Sequence, residues 1–356
     1  MNFRQVFLAL LVTSFFLHGC RDDKIVLLNS NIESYSNFQK YQKISFDDVV
    51  KFNNGFPYGM HLIDSTLIIF NATGKNSSFF YNLSLNDKVL GKGYLKGGRG
   101  AGKALGCISN GIIDNRWLWA YDITLKKILV TDIKKSNDSL AKVFTEYPVD
   151  KPLYMVEFLD TLSYFGVGDV DSDKKIQRFD LKSTKLIGEF GEFHNIKNDT
   201  PLSLIKSVYE SYIFSQPGGN KLALAYRFTD VLEIYESETH QGNAIMGPEG
   251  FEPVYHKAMT NYGHAMGRTA KTRYAFVGGA TTKKHIYLLF SGKLEKDENS
   301  HHAEYIFVYD WSGKPIKKMM LDREILCFTV SPDDRELFAY DYNSGFILKS
   351  IINDEN

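Results

Sequence analysis

The chain lacks a surplus of either charge: 42 Lys and Arg stand against 42 Asp and Glu. Without a basic excess it has no field for capturing phosphate backbones, so nucleic acid is not an expected partner. Cysteine is scarce. Apart from Cys20 there are only Cys107 and Cys327. Each lies in an apolar, strand-like stretch, where a lone cysteine usually serves as a small hydrophobe, so no bridge between them is expected. Beyond the N-terminus no apolar run approaches the roughly 18 residues that suggest a membrane-spanning helix. No long helical period appears, and neither does an H-E-x-x-H or G-x-S-x-G pattern. A zincin and a hydrolase with a nucleophile elbow are therefore not expected.

The N-terminus reads MNFRQVFLALLVTSFFLHGC. One cation, Arg4, precedes an apolar run from Val6 to Leu17, the length of a signal-peptide core and too short to cross a bilayer. Leu17-His18-Gly19-Cys20 resembles a bacterial lipobox, with His18 as a departure. This predicts residues 1–19 as a cleaved signal and Cys20 as the lipidated residue. Residues 20–24 would be the tether, and 20–356 a single domain. Acyl chains add about 0.8 kcal/mol per buried methylene, so the membrane is an expected partner. Asp22 and Asp23 are similar to an export signal that sends lipoproteins to the cell surface, which implies a surface-exposed outer-membrane protein. The alternative is the periplasmic face.

The remainder reads as all-β. There are 26 Phe and 21 Tyr, types that pack well on pleated surfaces. Six apolar runs recur: TLIIF (66–70), WLWAY (117–121), SYFGV (163–167), LALAY (222–226), IYLLF (286–290) and ELFAY (336–340). Their starts lie 46 to 64 residues apart, and a polar turn and a second strand follow each. A strand-only period near fifty residues is what a four-stranded propeller blade needs. The sequence therefore predicts a six-bladed β-propeller. The chain ends at the third strand of the sixth blade, so the fourth must come from the N-terminus, with IVLLN (25–29) or YQKISF (41–46) as candidates. A pair of sandwiches would need a linker, and none is apparent.

Three features resemble the six-bladed, TolB-like propeller lipoproteins, related in architecture to NHL-repeat proteins. One is the lipobox with its acidic pair. Another is GGRGAGK (97–103), similar to a G-R-G-P-G-E-F stretch near the end of a first blade. The third is SPDDRELFAY (331–340), similar to an S-P-D-G-[K/R] turn before an inner strand, with Asp334 replacing glycine. The resemblance covers essentially the whole mature chain and implies a propeller but no particular reaction.

GGRGAGKA (97–104) also comes within one residue of a P-loop. Ala104 stands where the metal-binding hydroxyl belongs, and strands rather than a helix are expected after it, so no nucleotide is predicted. The glycines read as a crossing between blades, with MGPEGF (246–251) as a weaker echo. Candidate ligand-contacting residues are Arg99 and Lys103 in that loop, and Tyr262, His264 and Arg268 in NYGHAMGR (261–268). Asp122, Asp169 and Asp341, with Asn71, follow equivalent strands and would share one face. Ca²⁺ is the ion such carboxylates suit, although Asp and Asn also simply begin turns. No catalytic residue is assigned. The expected function is a non-catalytic binding module for an envelope protein partner or an extracellular ligand. The alternatives are a hydrolase or lyase at the channel mouth, with or without a metal, and a structural envelope component.

Overall fold

The six apolar runs do not alternate with polar residues because both of their faces are buried. In WLWAY, Leu118 and Ala120 point to one neighbouring blade while Trp119 and Tyr121 point to the other. In LALAY the leucines and Tyr226 face one side, and Ala223 and Ala225 the other. A strand sends successive side chains to opposite faces, so a strand between two packed blades must be apolar at every position. The computed structural model describes residues 32–72, 78–135, 143–194, 199–261 and 263–352. Within them the chain forms six antiparallel meanders arranged as a six-bladed propeller.

Blade I runs from Phe56–Ile63 through Thr66–Ala72 and Ser78–Ser84 to an outer strand broken into Val89–Leu90 and Tyr94–Lys96. Blade II consists of Cys107–Ile113, Trp117–Asp122, Lys127–Asp132 and Thr145–Pro148. Blade III consists of Met155–Phe158, Ser163–Val167, Lys174–Asp180 and Leu186–Glu192. Blade IV consists of Ser211–Ser215, Lys221–Tyr226, Val231–Glu236 and Gly242–Met246. Blade V consists of Phe276–Thr281, His285–Phe290, Ala303–Asp310 and Pro315–Ile325. Blade VI begins with Cys327–Val330, Glu336–Asp341 and Phe346–Ile351. The six runs are thus second strands, one step out from the axis; ELFAY is not itself innermost. Local sequence sets the turns. Asp114 and Asn115 both take positive φ, 54° and 50°, as a tight hairpin requires. Asn110-Gly111 lies inside a strand rather than at a turn, and the Trp119 ring fills the space a Cβ on Gly111 would occupy.

Six buried clusters are found, and each fills one gap between neighbouring blades. The innermost strands touch their neighbours in an unbroken cycle. Polar groups stitch the same gaps. His61 Nε2 meets Asn110 Oδ1 at 2.7 Å between blades I and II, and Val156 N donates to Ser109 Oγ between II and III. Between III and IV a fully buried Lys175 donates to Glu233 at 2.7 Å, and Glu233 also accepts from Tyr226 and Tyr235. Thr281 Oγ1 donates to the Ser215 carbonyl between IV and V. Thr282, Tyr287 and His285 converge on Asp334 between V and VI, and Cys327 Sγ reaches the Pro57 carbonyl between VI and I. Both Cys107 and Cys327 are free thiols.

The ring closes through the N-terminus, by a different segment from either expected one. Blade VI receives its fourth strand from DDVVK (Asp47–Lys51), antiparallel to Phe346–Ile351. YQKISF instead lends Tyr41–Ile44 to blade V as a fifth strand, parallel to Pro315–Ile325. Residues 25–29 lie outside the described residues, as do the signal peptide, Cys20 and the tether. Ile32–Ser34 makes a fifth strand on blade IV, parallel to Gly242–Met246. We number these three strands β1 (Ile32–Ser34), β2 (Tyr41–Ile44) and β3 (Asp47–Lys51) in chain order. They form a strap around the rims of blades IV, V and VI. Its apolar residues explain its path: Phe38 packs on Phe307 and Tyr309, Phe46 joins the V–VI cluster and Phe52 the VI–I cluster.

One face carries both the crossings between blades and the turns from second to third strands; we call it the mouth face. Three insertions enlarge it. Helix α1 (Leu202–Val208) lies on the crossing from III to IV and buries Leu204, Ile205 and Val208 in the cluster between those blades. A hairpin, Tyr255–Thr260 with Gly263–Arg268, lies on the crossing from IV to V and rests on α1, with Met266 N donating to Ser207 Oγ. Residues 291–302 widen the turn in blade V.

Candidate functional site

The carboxylates at the ends of the second strands organise backbone. Asp122 is buried and accepts from the backbone N–H groups of Leu105, Gly106, Thr124 and Leu125, so it caps its own turn and the incoming crossing together. Asp230, which sequence reading passed over, does the same in blade IV for Glu249 and Gly250 in MGPEGF. Asp341 accepts from Asn343 and Ser344, and Asp169 from Asp171 N with Lys151 3.8 Å away. Asn71 donates to the carbonyls of Asn54 and Ser78. Asp122, Asp169 and Asp341 each serve a separate blade, and the structure does not gather them. Among the described residues no group of three His, Cys, Asp or Glu is placed to hold a metal ion.

The glycine loop folds back on itself. Gly98 N donates to the Ala104 carbonyl and Ala104 N to the Lys96 carbonyl, while Gly98 and Gly102 take φ of 144° and 66°. Gly102 N is held by Glu146. Ala104 is fully buried against blades I and II, and the strand Cys107–Ile113 follows rather than a helix. The loop is a crossing with no N–H cradle on a helix end. Arg99 and Lys103 stand exposed on it, with no ion pair among the described residues.

Chemistry gathers on the mouth face from blade IV round to blade I. Four large aromatic rings stand exposed there: Phe56 at 50%, Tyr58 at 59%, Tyr342 at 42% and, on the hairpin, Tyr255 at 41%. Tyr58 is the extra residue of a bulge between Pro57 and Gly59, a device that turns a side chain out of the ladder. Phe56 lies 5.5 Å from Tyr342, and Tyr342 meets His302 edge-on at 5.1 Å. Arg227 lies over the Tyr212 and Phe228 rings and pairs with Glu210 at 2.6 Å. Arg268 donates to Tyr274 Oη at 2.5 Å and lies 3.5 Å from Glu295, to which Tyr274 also donates. His301 packs on Tyr274 at 4.4 Å. Burial pushes the His301 imidazole below its usual range, and Arg227 and Arg268 push it further. His302 is lowered too, chiefly by burial, so both rings are biased towards neutrality.

Below the mouth, on the innermost strand of blade III, is Glu157. Its side chain keeps partial access to the axial space but is enclosed by protein. Burial pushes its carboxyl up to about 8, against opposing bonds from Phe158 N and Ser215. Burial likewise lowers His61, which Asn110 partly offsets.

Residues 34–333 match the family described as TolB-like 6-blade propeller-like. The chain belongs to that family. No curated protein matches it. Among solved structures, this TolB-like propeller is similar to a putative exported protein from Bacteroides fragilis at 12% identity and a TM-score of 0.52. That match covers 88% of this chain and 99% of the other. It is also similar to a DUF4221 family member from Bacteroides vulgatus at 10% identity and a TM-score of 0.52, covering 90% and 99%. At these identities the likeness is one of fold.

Of the candidate residues in NYGHAMGR, the TolB-like propeller brings Arg268 into the mouth cluster. His264 sits on the α1-facing hairpin, half-buried, and its Nδ1 has no partner among the described residues. Tyr262 lies outside the described residues. Sequence reading missed Tyr58, Phe56, Tyr342, Arg227 and Glu157. The one available signal was FPYG, two aromatic residues spaced around a proline just before a glycine in an otherwise apolar strand.

Proposed function

We propose that this TolB-like propeller is a lipid-anchored outer-membrane protein, held at Cys20, whose mouth face is a non-catalytic binding surface for an envelope partner or an extracellular ligand. The observation that carries the reading is the rim of exposed aromatic rings set among paired charges, on the face that the three insertions enlarge. Exposed rings clustered around a concavity are what binding sites use, and rigid blades suit the display of such loops. The strap supports the orientation. β1 runs parallel to Gly242–Met246, which ends at the mouth face, so the chain enters β1 from the opposite face. A tether from Cys20 approaching from that side points the mouth away from the membrane. The fold match to a protein described as exported agrees with an envelope location. The hydrolase or lyase reading gains no support from its expected carboxylates, which are occupied by backbone amides in three separate blades.

The test is a C-terminally tagged pull-down from membranes in mild detergent, read by mass spectrometry. A stoichiometric partner that is lost on Tyr58→Ala or Tyr342→Ala supports the binding surface. A partner retained by both variants sinks it. Cys20→Ala is expected to move the protein to the soluble fraction, and protease shaving of intact cells distinguishes surface from periplasmic display. Retention of Cys20→Ala in the membrane fraction counts against the anchor.

A further inference from the structure

We infer that the hairpin on the mouth face captures an extended acidic segment of a partner protein as a third strand, a proposal that rests on the binding-surface reading above and names the partner's chemistry. The backbone supplies the first argument. Tyr255–Thr260 and Gly263–Arg268 form a sheet of two strands, and among the described residues no third strand joins it. Gly263–Arg268 is the strand that rests on α1, so Tyr255–Thr260 carries the open edge. Met266 N points out of the ribbon to Ser207 Oγ, and Met266 pairs with Lys257. In an antiparallel pair both partners at such a position turn their N–H and C=O outward, and the pattern repeats every second residue. Tyr255, Lys257 and Met259 therefore present a row of donors and acceptors to a new strand. Strand addition to an open edge is a general way of holding an extended peptide.

The side chains supply the second argument. From 253 to 294 the chain holds no Asp or Glu. The carboxylates that reach the hairpin and its return from outside that stretch are engaged: Glu252 accepts from Tyr209 Oη, Glu295 pairs with Arg268 and Glu249 with Arg273. Lys257 and Lys271 are exposed and have no ion pair among the described residues. Alternation puts Tyr255, Lys257 and Met259 on one face, with the ammonium between the Tyr255 ring and a Met259 side chain that is 69% exposed. A lysine on an open edge repels a basic strand. It also disfavours a second copy of this hairpin paired about Lys257, which would set two ammonium groups together. A strand centred on an acidic residue, with apolar residues two positions before and after, sets a carboxylate opposite Lys257 and apolar groups opposite Tyr255 and Met259. That pattern is the same in either chain direction.

The experiment is fluorescence anisotropy of the detergent-solubilised full chain with the fluorescein-labelled peptide Thr-Val-Thr-Glu-Thr-Val-Thr. The expected result is saturable binding that rising salt weakens. Lys257→Glu should weaken it by about 10-fold at unchanged melting temperature, and a peptide with Lys in place of its Glu should recover binding to that variant. A strand turns alternate amides to its neighbour, so N-methylation of one alternate set should abolish binding and of the other set leave it intact. No saturable binding, no rescue by the charge exchange, or equal effects of the two methylated sets overturns the proposal. Binding of phosphatidylglycerol mixed micelles in place of the peptide would give the hairpin to a lipid surface and overturns it too. If the peptide fails but Tyr58→Ala or Tyr342→Ala still releases a protein in the pull-down, the binding surface stands and the strand partner falls.

Discussion

At Asp334 the backbone takes φ 63°, the left-handed region where the related turn motif carries glycine. The side chain accounts for the exception. Its Oδ1 accepts from Thr282 at 2.7 Å and Tyr287 at 2.9 Å and faces His285 Nδ1 at 3.2 Å, all on blade V. Burial pushes this carboxyl up, but the bonds from His285, Thr282 and Tyr287 together outweigh it and hold it below the ordinary range. A lowered carboxyl contributes stability that is present above its unfolded value of 3.8 and lost as pH falls through the folded one. Asp334→Ala should cost about 2–4 kcal/mol, from unpaired donors and a strained backbone. Asp334→Gly should recover roughly 1 kcal/mol of that by relieving the strain. Urea denaturation at neutral pH and at pH 3 checks both points, because the difference between wild type and Asp334→Gly should shrink in acid. Glu157 has the opposite sign. Its folded value of about 8 stands above the unfolded 4.5, so its contribution favours folding at low pH and is lost as pH rises towards 8. Glu157→Gln should flatten the fall in melting temperature across that window. An unchanged slope would show the carboxyl to be well hydrated by the channel.

Among the elements, the strap shows what sequence reveals and what it hides. The second strands were readable because burial on both faces leaves an uninterrupted apolar run such as TLIIF or IYLLF. β3 was not. DDVVK has one rim-facing edge and only Val49 and Val50 to signal it, and its place is set by pairing with Phe346–Ile351 nearly three hundred residues away. The innermost strands were obscured for a related reason: they line the axis, so MVEF and FPYG mix polar, small and apolar residues. The candidate site was hidden further still, since Arg227, Tyr274, His302 and Tyr342 acquire meaning only when blades IV, V and VI meet. Asp122, Asp169 and Asp341 were readable as equivalent positions, but spacing alone does not say whether a carboxylate faces backbone or ligand. The strap is also testable. Phe38→Ala, which empties a site between Phe307 and Tyr309, should cost about 3–5 kcal/mol, whereas Phe56→Ala on the exposed rim should cost under about 0.5 kcal/mol. Chemical denaturation of the two variants decides whether the strap is part of the core.

At the scale of the whole molecule, each blade is held by its two neighbours, and the sixth is completed by residues from the opposite end of the chain. Neighbour-by-neighbour stability of this kind loses cooperativity when a unit is left open. Deleting residues up to Lys51 leaves blade VI three-stranded and bares the rims of IV and V. Calorimetry should then show a broadened transition at lower temperature, or several, in place of one. A single sharp transition at the original temperature would mean that the six interblade clusters suffice without closure.

The direction of β1 has a mechanical side. A load on an N-terminal tether pulls Ile32–Ser34 along its own axis, away from the mouth, against the parallel strand Gly242–Met246. The hydrogen bonds of that pair are then stretched together, as in a lap joint, instead of being opened one by one from an end. Behind them Tyr35, bonded to Tyr309 at 2.7 Å, and the seated Phe38 act as a toggle that must be dragged out of the gap between blades IV and V before the rim can peel. Tension applied at the N-terminus would thus pass into three blades at once, and the ring that presents the mouth would keep its shape under such a load.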